Sequence, residues 1–592
     1  MRRFIVGFFA LIGLLVVVLI AFGVGLWLIA APGEPALGEA NILTFDLTAP
    51  LPEDGGGDGI ERALLGEQTT LRDVLDGLER ASEDARVKGI VVRVGDGTFG
   101  TAQVQELRDA VAALRAKGKF AIAYADSFGE LGSGMRGYYL ATAFEQIWLQ
   151  PYGDVGITGI RVEMPFLRGT LDTLGIAPRF DHREEYKTAA NALTETKMTA
   201  AQREETEGLL HSVYGQMLRG IGEGRKLEPE RVRALIDDGP FGTKQALEAH
   251  LVDHIGYRDD AVAAARQRAG ENAQLVSLRR YLDRAGHPHQ SGPTIAVIYG
   301  TGLITRGSSS TNPLSGSEVM GADSLTRAFR MASKDADVKA ILFRIDSPGG
   351  SATASETIWR EALRAKEAGK PVIVSMGNVA ASGGYYVAAA ADKIVAEPAT
   401  LTGSIGVVAG KVLIGGLSAK LGITWDSAQL GRNAGIESVV TDFTPAEHER
   451  FEQLLDEIYA GFKDRVAQGR KLSAAAVEDA ARGRVWTGED AKSRGLVDEL
   501  GGFAKALALA KAAAGLPADR DVTLKQFPPP ANTPSAIIAR LMGRESDQEE
   551  SASAARLAGA QRMIATLRPL LREVELLTAP PGALTMPPLE IK

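Results

Sequence analysis

The chain repeats itself. Val87-Lys88-Gly89-Ile90-Val91-Val92-Arg93-Val94 is matched about 250 residues further on by Val338-Lys339-Ala340-Ile341-Leu342-Phe343-Arg344-Ile345. Gly137-Tyr138-Tyr139 returns as Gly384-Tyr385-Tyr386, Pro151 as Pro398, and Leu251-Val252-Asp253 as Leu496-Val497-Asp498, in the same order and at nearly the same spacing. A tandem duplication of this kind rules out one continuous core, and 592 residues exceed what one core supports. Each half reads as short β-branched strands alternating with alanine-rich amphipathic helices, the pattern of βα units. The strands lack polar alternation, so they are expected to be buried on both faces of a sheet. The fold class is α/β, with one half at 41–285, the other at 293–527, and a join near Gly286 to Pro293.

Outside the repeat, Phe4 to Ala31 is an uncharged apolar run preceded by Arg2 and Arg3 and followed by Pro32-Gly33-Glu34. At about 1.5 Å per residue it spans a hydrocarbon core of about 30 Å, whereas the apolar region of a cleavable signal is only about 7–15 residues long. Segment 1–31 therefore reads as cytoplasmic arginines and a retained transmembrane anchor, with Ala30-Ala31 and Ala40 as the alternative of a processed signal. The arginines place everything after Ala31 across the membrane. The tail, 528–592, opens with Pro528-Pro529-Pro530, carries an acidic patch from Glu545 to Glu550, and has helical apolar spacing from Ala554 to Leu577. Two Gly/Ser-rich loops, Glu53 to Gly59 and Gly307 to Gly316, read as mobile. The net charge of -8 is spread along the chain and gives no footprint for nucleic acid. The absence of cysteine excludes disulfides, thiolate catalysis and cysteine metal sites. Neither a P-loop nor a clustered metal-ligand set is present, so no cofactor or metal is required.

Three short stretches carry chemistry. In Asn378-Val379-Ala380-Ala381-Ser382-Gly383-Gly384-Tyr385-Tyr386, a serine follows the apolar strand Pro371 to Ser375 and opens a small-residue helix. Glycines leave its hydroxyl unobstructed, as a nucleophile needs, although the same position suits a helix cap. Asp346-Ser347-Pro348-Gly349-Gly350 lies between the strand Ala340 to Ile345 and a helix-like run from Ala354 to Lys366. Paired glycines there are either an ordinary Pro-Gly turn or backbone donors for a substrate oxyanion. Lys187, in Glu184-Glu185-Tyr186-Lys187-Thr188-Ala189, would by itself be a solvated surface residue.

Together with Leu401-Thr402-Gly403-Ser404-Ile405-Gly406, these stretches resemble the long form of the signal peptide peptidase A (protease IV) family, from the anchor to about Gly515. The resemblance implies two tandem Clp-protease/crotonase-like domains after one transmembrane helix, and a Ser/Lys serine protease of the bacterial inner membrane with its domains on the periplasmic side. By position, Ser382 matches the nucleophile, Lys187 the general base, Ser404 a serine that orients the lysine, and Gly349/Gly350 part of the oxyanion hole, completed by Gly383. The implied partners are apolar peptides such as remnant signal peptides, the membrane, and further copies of the chain in a homo-oligomer, with a tetramer expected. The chemistry agrees: the seven histidines lie outside these motifs, and a lysine serves as base only when burial lowers its pKa from about 10.4.

The duplication divides the labour. Met135 stands where the first half would place Ser382, Ala434 where the second would place Lys187, and Gly95-Asp96-Gly97-Thr98 replaces the Pro-Gly-Gly turn. One composite site, with Lys187 from the first half and Ser382 from the second, is the expectation. A crotonase-type acyl-CoA enzyme and a catalytically silent peptide-binding scaffold are the alternatives from other classes.

Overall fold

The computed structural model describes residues 36–53, 69–95, 99–311, 317–529 and 583–586. The proposed anchor, residues 54–59 of the first Gly-rich loop, 312–316 of the second, the acidic patch and the Ala554 to Leu577 stretch lie outside the described residues. Among the described residues no helix is long and apolar enough to cross a membrane.

The two largest sheets share one plan. The first runs His254–Ile255, Gln146–Leu149, Phe120–Ala125, Val87–Val94, Asn41–Leu47, Gln274–Ser277, every neighbour parallel. The second contains Glu499–Leu500, Lys393–Ala396, Val372–Ala381, Val338–Ser347, Thr294–Thr301 and Thr523–Gln526 in the corresponding order, again parallel. The repeat is thus one of topology as well as of sequence. Within Val338–Ser347, Ile341 and Phe343 enter one core with Phe329 and Ile358, while Ala340 and Leu342 enter another with Phe503 and Ala506. Both faces are covered, which is why these strands read as unbroken apolar runs.

The strand before Ser382 is longer than its apolar run suggests, continuing through Gly377 and Asn378 to Ala381. Its last three residues leave the ordinary register and pair with Leu401–Gly403, which pairs antiparallel with Val485–Thr487. Asn378 is polar because it serves the other half: its Oδ1 accepts the Gln103 N–H at 3.1 Å. In the first half the equivalent segments, Asp154–Val155 and Phe241–Gly242, pair with each other in a separate two-stranded sheet.

The halves interlock along a shared strand pair and around a buried arginine, among other contacts. Strand Ala177–His182 of the first half pairs antiparallel with Val408–Leu413 of the second, Ala177 opposite Leu413 and His182 opposite Val408. Elsewhere Arg344 is fully buried, donating to Glu53 Oε2 (2.9 Å), Glu106 Oε2 (2.8 Å) and Ser375 Oγ (2.8 Å). The expectation of a mobile loop therefore fails at Glu53. Its carboxylate is drawn inside by a guanidinium that, once desolvated, needs paired anions.

Candidate active site

Lys187 reaches the second half along the interlocking strand. After His182, the Arg183 N–H bonds Val407 O (3.0 Å) and the Tyr186 N–H bonds Arg482 O (3.2 Å), so the loop is held against two second-half segments before the lysine is reached. Arg482 pairs with Glu185, and Arg484 donates to Glu204 Oε1 (2.9 Å) while lying over the Tyr186 and Trp486 rings. Inside this frame the lysine side chain is completely buried.

Its Nζ lies 2.8 Å from Ser382 Oγ, 2.9 Å from Ser404 Oγ and 2.9 Å from Ser404 O. An ammonium can donate to all three. A neutral amine can give two protons to the Ser404 oxygens and turn its lone pair to the Ser382 hydroxyl. Burial pushes the Lys187 pKa down to about 7, opposed by a smaller attraction from the Glu205 carboxylate. Burial also pushes Glu205 up to about 8. Each group is driven toward its neutral form, and Glu205 is held in place by the Val485 N–H at 2.6 Å.

Ser382 does not cap the short helix Gly383–Ala388 with its side chain, so its hydroxyl is free for the lysine. Its backbone sits at φ 53°, ψ −116°, and Ser404 at φ 50°; such conformations cost about 1–3 kcal/mol each and persist where surroundings enforce them. The enforcing bonds run from the Ser382 N–H to Gly403 O (2.8 Å) and from the Ser404 N–H to Arg484 O (2.7 Å). The Gly349-Gly350 turn lies beside the serine: a Cβ on Gly383 would stand 3.1 Å from Gly350 N and 3.2 Å from Gly349 Cα. Gly349 spends its N–H on Ser347 Oγ (3.2 Å), leaving Gly350 as the better placed partner for Gly383 in meeting an oxyanion. Gly350 has φ +153°, and a Cβ there would meet Ile304 O at 2.1 Å.

All the residues singled out in the sequence, Lys187, Ser382, Ser404, Gly349, Gly350 and Gly383, come together here. Met135 is buried at the start of helix Met135–Ala141, whereas Ala434 lies in an exposed irregular stretch with no counterpart of the lysine loop. Sequence reasoning missed Glu205, Gly406 and Gly483. The signal for Glu205 was present in helix Ala200–Arg225, where Gln202, Glu205 and Thr206 occupy the buried stripe continued by Leu209 and Val213. For Gly483 there was none, because what it accommodates, the Lys187 backbone, belongs to the other half, while Gly406 makes room for both Gly483 and the Lys187 side chain.

The profile of peptidase family S49 matches residues 113–272 and 364–517, one region in each half. The chain is 33% identical to the chloroplastic serine protease SPPA of Arabidopsis thaliana over 474 residues, 78% of this chain and 68% of that one. It is 30% identical to Protease 4 of Salmonella typhi over 551 residues, 86% of this chain and 87% of that one. Among solved structures, a membrane-bound stomatin-specific protease shares 18% identity over 40% of this chain and 100% of its own, with a TM-score of 0.25.

Proposed function

The chain belongs to peptidase family S49 and is a serine peptidase of the SppA/protease 4 kind, and from that premise we propose that Lys187 and Ser382 form its catalytic dyad. The observation that carries the reading is the 2.8 Å contact between a fully buried amine and the serine hydroxyl. Neutral Lys187 takes the hydroxyl proton as Ser382 Oγ attacks a peptide carbonyl, while Ser404 holds the amine with two contacts. The N–H groups of Gly383 and Gly350 meet the oxyanion. The ammonium then gives its proton to the leaving amine, and water hydrolyses the acyl-enzyme.

The substrates we assign are apolar peptides, remnant signal peptides among them. The anchor read at 4–31 would keep the site beside that pool, on the extracytoplasmic face of the bacterial inner membrane. The exposed side chains of Leu421, Ile423, Trp425 and Leu430, close together in one irregular stretch, support contact with further copies of the chain, for which we keep the tetramer. The test is hydrolysis of a fluorogenic apolar peptide by the full chain in detergent beside its Ser382→Ala variant. Equal rates for the two would overturn the assignment.

A further inference from the structure

The strand that carries Ser382 does not run evenly to it. Along Val338–Ser347 and Val372–Ala381, Ile345 faces Met376, but Ser347 faces Ala380. Gly377, Asn378 and Val379 thus stand against Asp346 alone, a bulge with two extra residues. At about 3.3 Å per residue, the bulge sets Ser382 about 7 Å back from where an even ladder would carry it. Each bulge residue is tied by a side chain. Thr400 Oγ1 donates to Gly377 O (2.8 Å), the Val379 N–H donates to Asp346 Oδ1 (2.8 Å), and Asn378 Oδ1 accepts the Gln103 N–H (3.1 Å). The first two ties lie within the second half, and the third crosses to the first.

Gln103 is the third residue of helix Thr101–Ala116, whose N-cap, Gly100, has no side chain to accept that N–H. Asn378 supplies the acceptor from 275 residues away, as an asparagine at the N-cap itself would. The helix is a firm anchor, because its next turn is docked on the second half: Gln105 Oε1 accepts the Ala399 N–H (2.8 Å), and Glu106 Oε2 holds Arg344 (2.8 Å). Gly100 makes the room. A Cβ there would fall 1.9 Å from Asn378 Oδ1, although its backbone, at φ −69° and ψ 155°, suits any residue.

We propose that Asn378 is a positioning residue for the peptidase reaction: by capping a helix of the first half, it pins the bulge that sets Ser382 at Lys187. The inference rests on the dyad reading above. The first half then acts on the nucleophile twice, through a base at its oxygen and through a helix behind its strand. Without the tie the bulge relaxes and carries Ser382 and the Gly383 N–H out of line together, which lowers turnover rather than peptide binding.

The experiment is steady-state hydrolysis of a fluorogenic apolar peptide by the full chain in detergent, with circular dichroism on every variant. Asn378→Ala should lower kcat by about tenfold to a hundredfold, with KM within about threefold of wild type. Asn378→Asp, which keeps an acceptor at the helix N-terminus, should restore kcat to within about threefold. Gly100→Ala, which displaces the asparagine side chain from the other half, should reproduce the loss, and the double variant Gly100→Ala/Asn378→Ala should be no slower than the slower single. Wild-type kcat in either alanine variant, no rescue by aspartate, or losses that multiply in the double variant would overturn the role and leave the dyad standing. If Asn378→Ala does not fold, Gly100→Ala decides alone. A Ser382→Ala enzyme as fast as wild type would overturn the dyad and this inference with it.

Discussion

Gly483 stands directly behind Lys187: a methyl group on it would lie 2.5 Å from the lysine's backbone nitrogen, and its own φ is +80°. A glycine of the second half thus makes room for Lys187 of the first. Gly483→Ala should displace the lysine loop without unfolding either core. A shift of about 1 Å at a catalytic group costs about 10²-fold in rate, so turnover should fall by that order with KM little changed. Steady-state kinetics with circular dichroism checks this, and turnover within threefold of wild type would contradict it.

Only an amine that can lose its proton can activate Ser382. Lys187→Arg should therefore be about as damaging as Lys187→Ala, each lowering kcat by about three or more orders of magnitude. Ser404→Ala, which removes one of the two contacts from that residue, should cost less. Retention of most activity in Lys187→Arg would exclude lysine as the base.

The pH profile follows from the same amine. With the Lys187 pKa lowered to about 7, the active neutral form is lost as pH falls through that value, so kcat/KM should decline on the acid side of about 7. Glu205, itself pushed up to about 8, is protonated over that range, so Glu205→Gln should leave the acid limb nearly in place. A midpoint moved clearly to lower pH in Glu205→Gln would show instead that Glu205 is ionised beside the lysine.

Arg344 holds two buried carboxylates of the first half, Glu53 and Glu106. Arg344→Leu would leave both without their partner, and breaking a buried pair in this way costs about 3–5 kcal/mol. Urea denaturation should show a loss of that size. A loss below about 1 kcal/mol would mean that water reaches the carboxylates.

Much of this was legible in the chain because each motif carries its own local chemistry. Ser382, Ser404 and the paired glycines sit at strand ends beside residues that announce a turn, and the repeat exposes which half lacks what. Lys187 was found through resemblance alone, since nothing in Glu184 to Ala189 marks it as buried. What escaped was whatever depends on contact between the halves. Gly483 is one glycine among many until Lys187 is set against it. Glu53 looks like the start of a Gly-rich loop until Arg344 is found inside. The strand read as ending at Ser375 runs on to Ala381, with the polar Asn378 inside it bound by the Gln103 N–H.

The interlocked strands Ala177–His182 and Val408–Leu413 also impose an order in time. A ribosome completes the lysine-bearing half before it reaches Ser382, and on the proposed dyad the serine has no base until the two strands have paired. A nascent or half-folded copy therefore carries a nucleophile that is chemically inert. On the dyad proposed above, competence to cut arrives only after both halves have folded and paired.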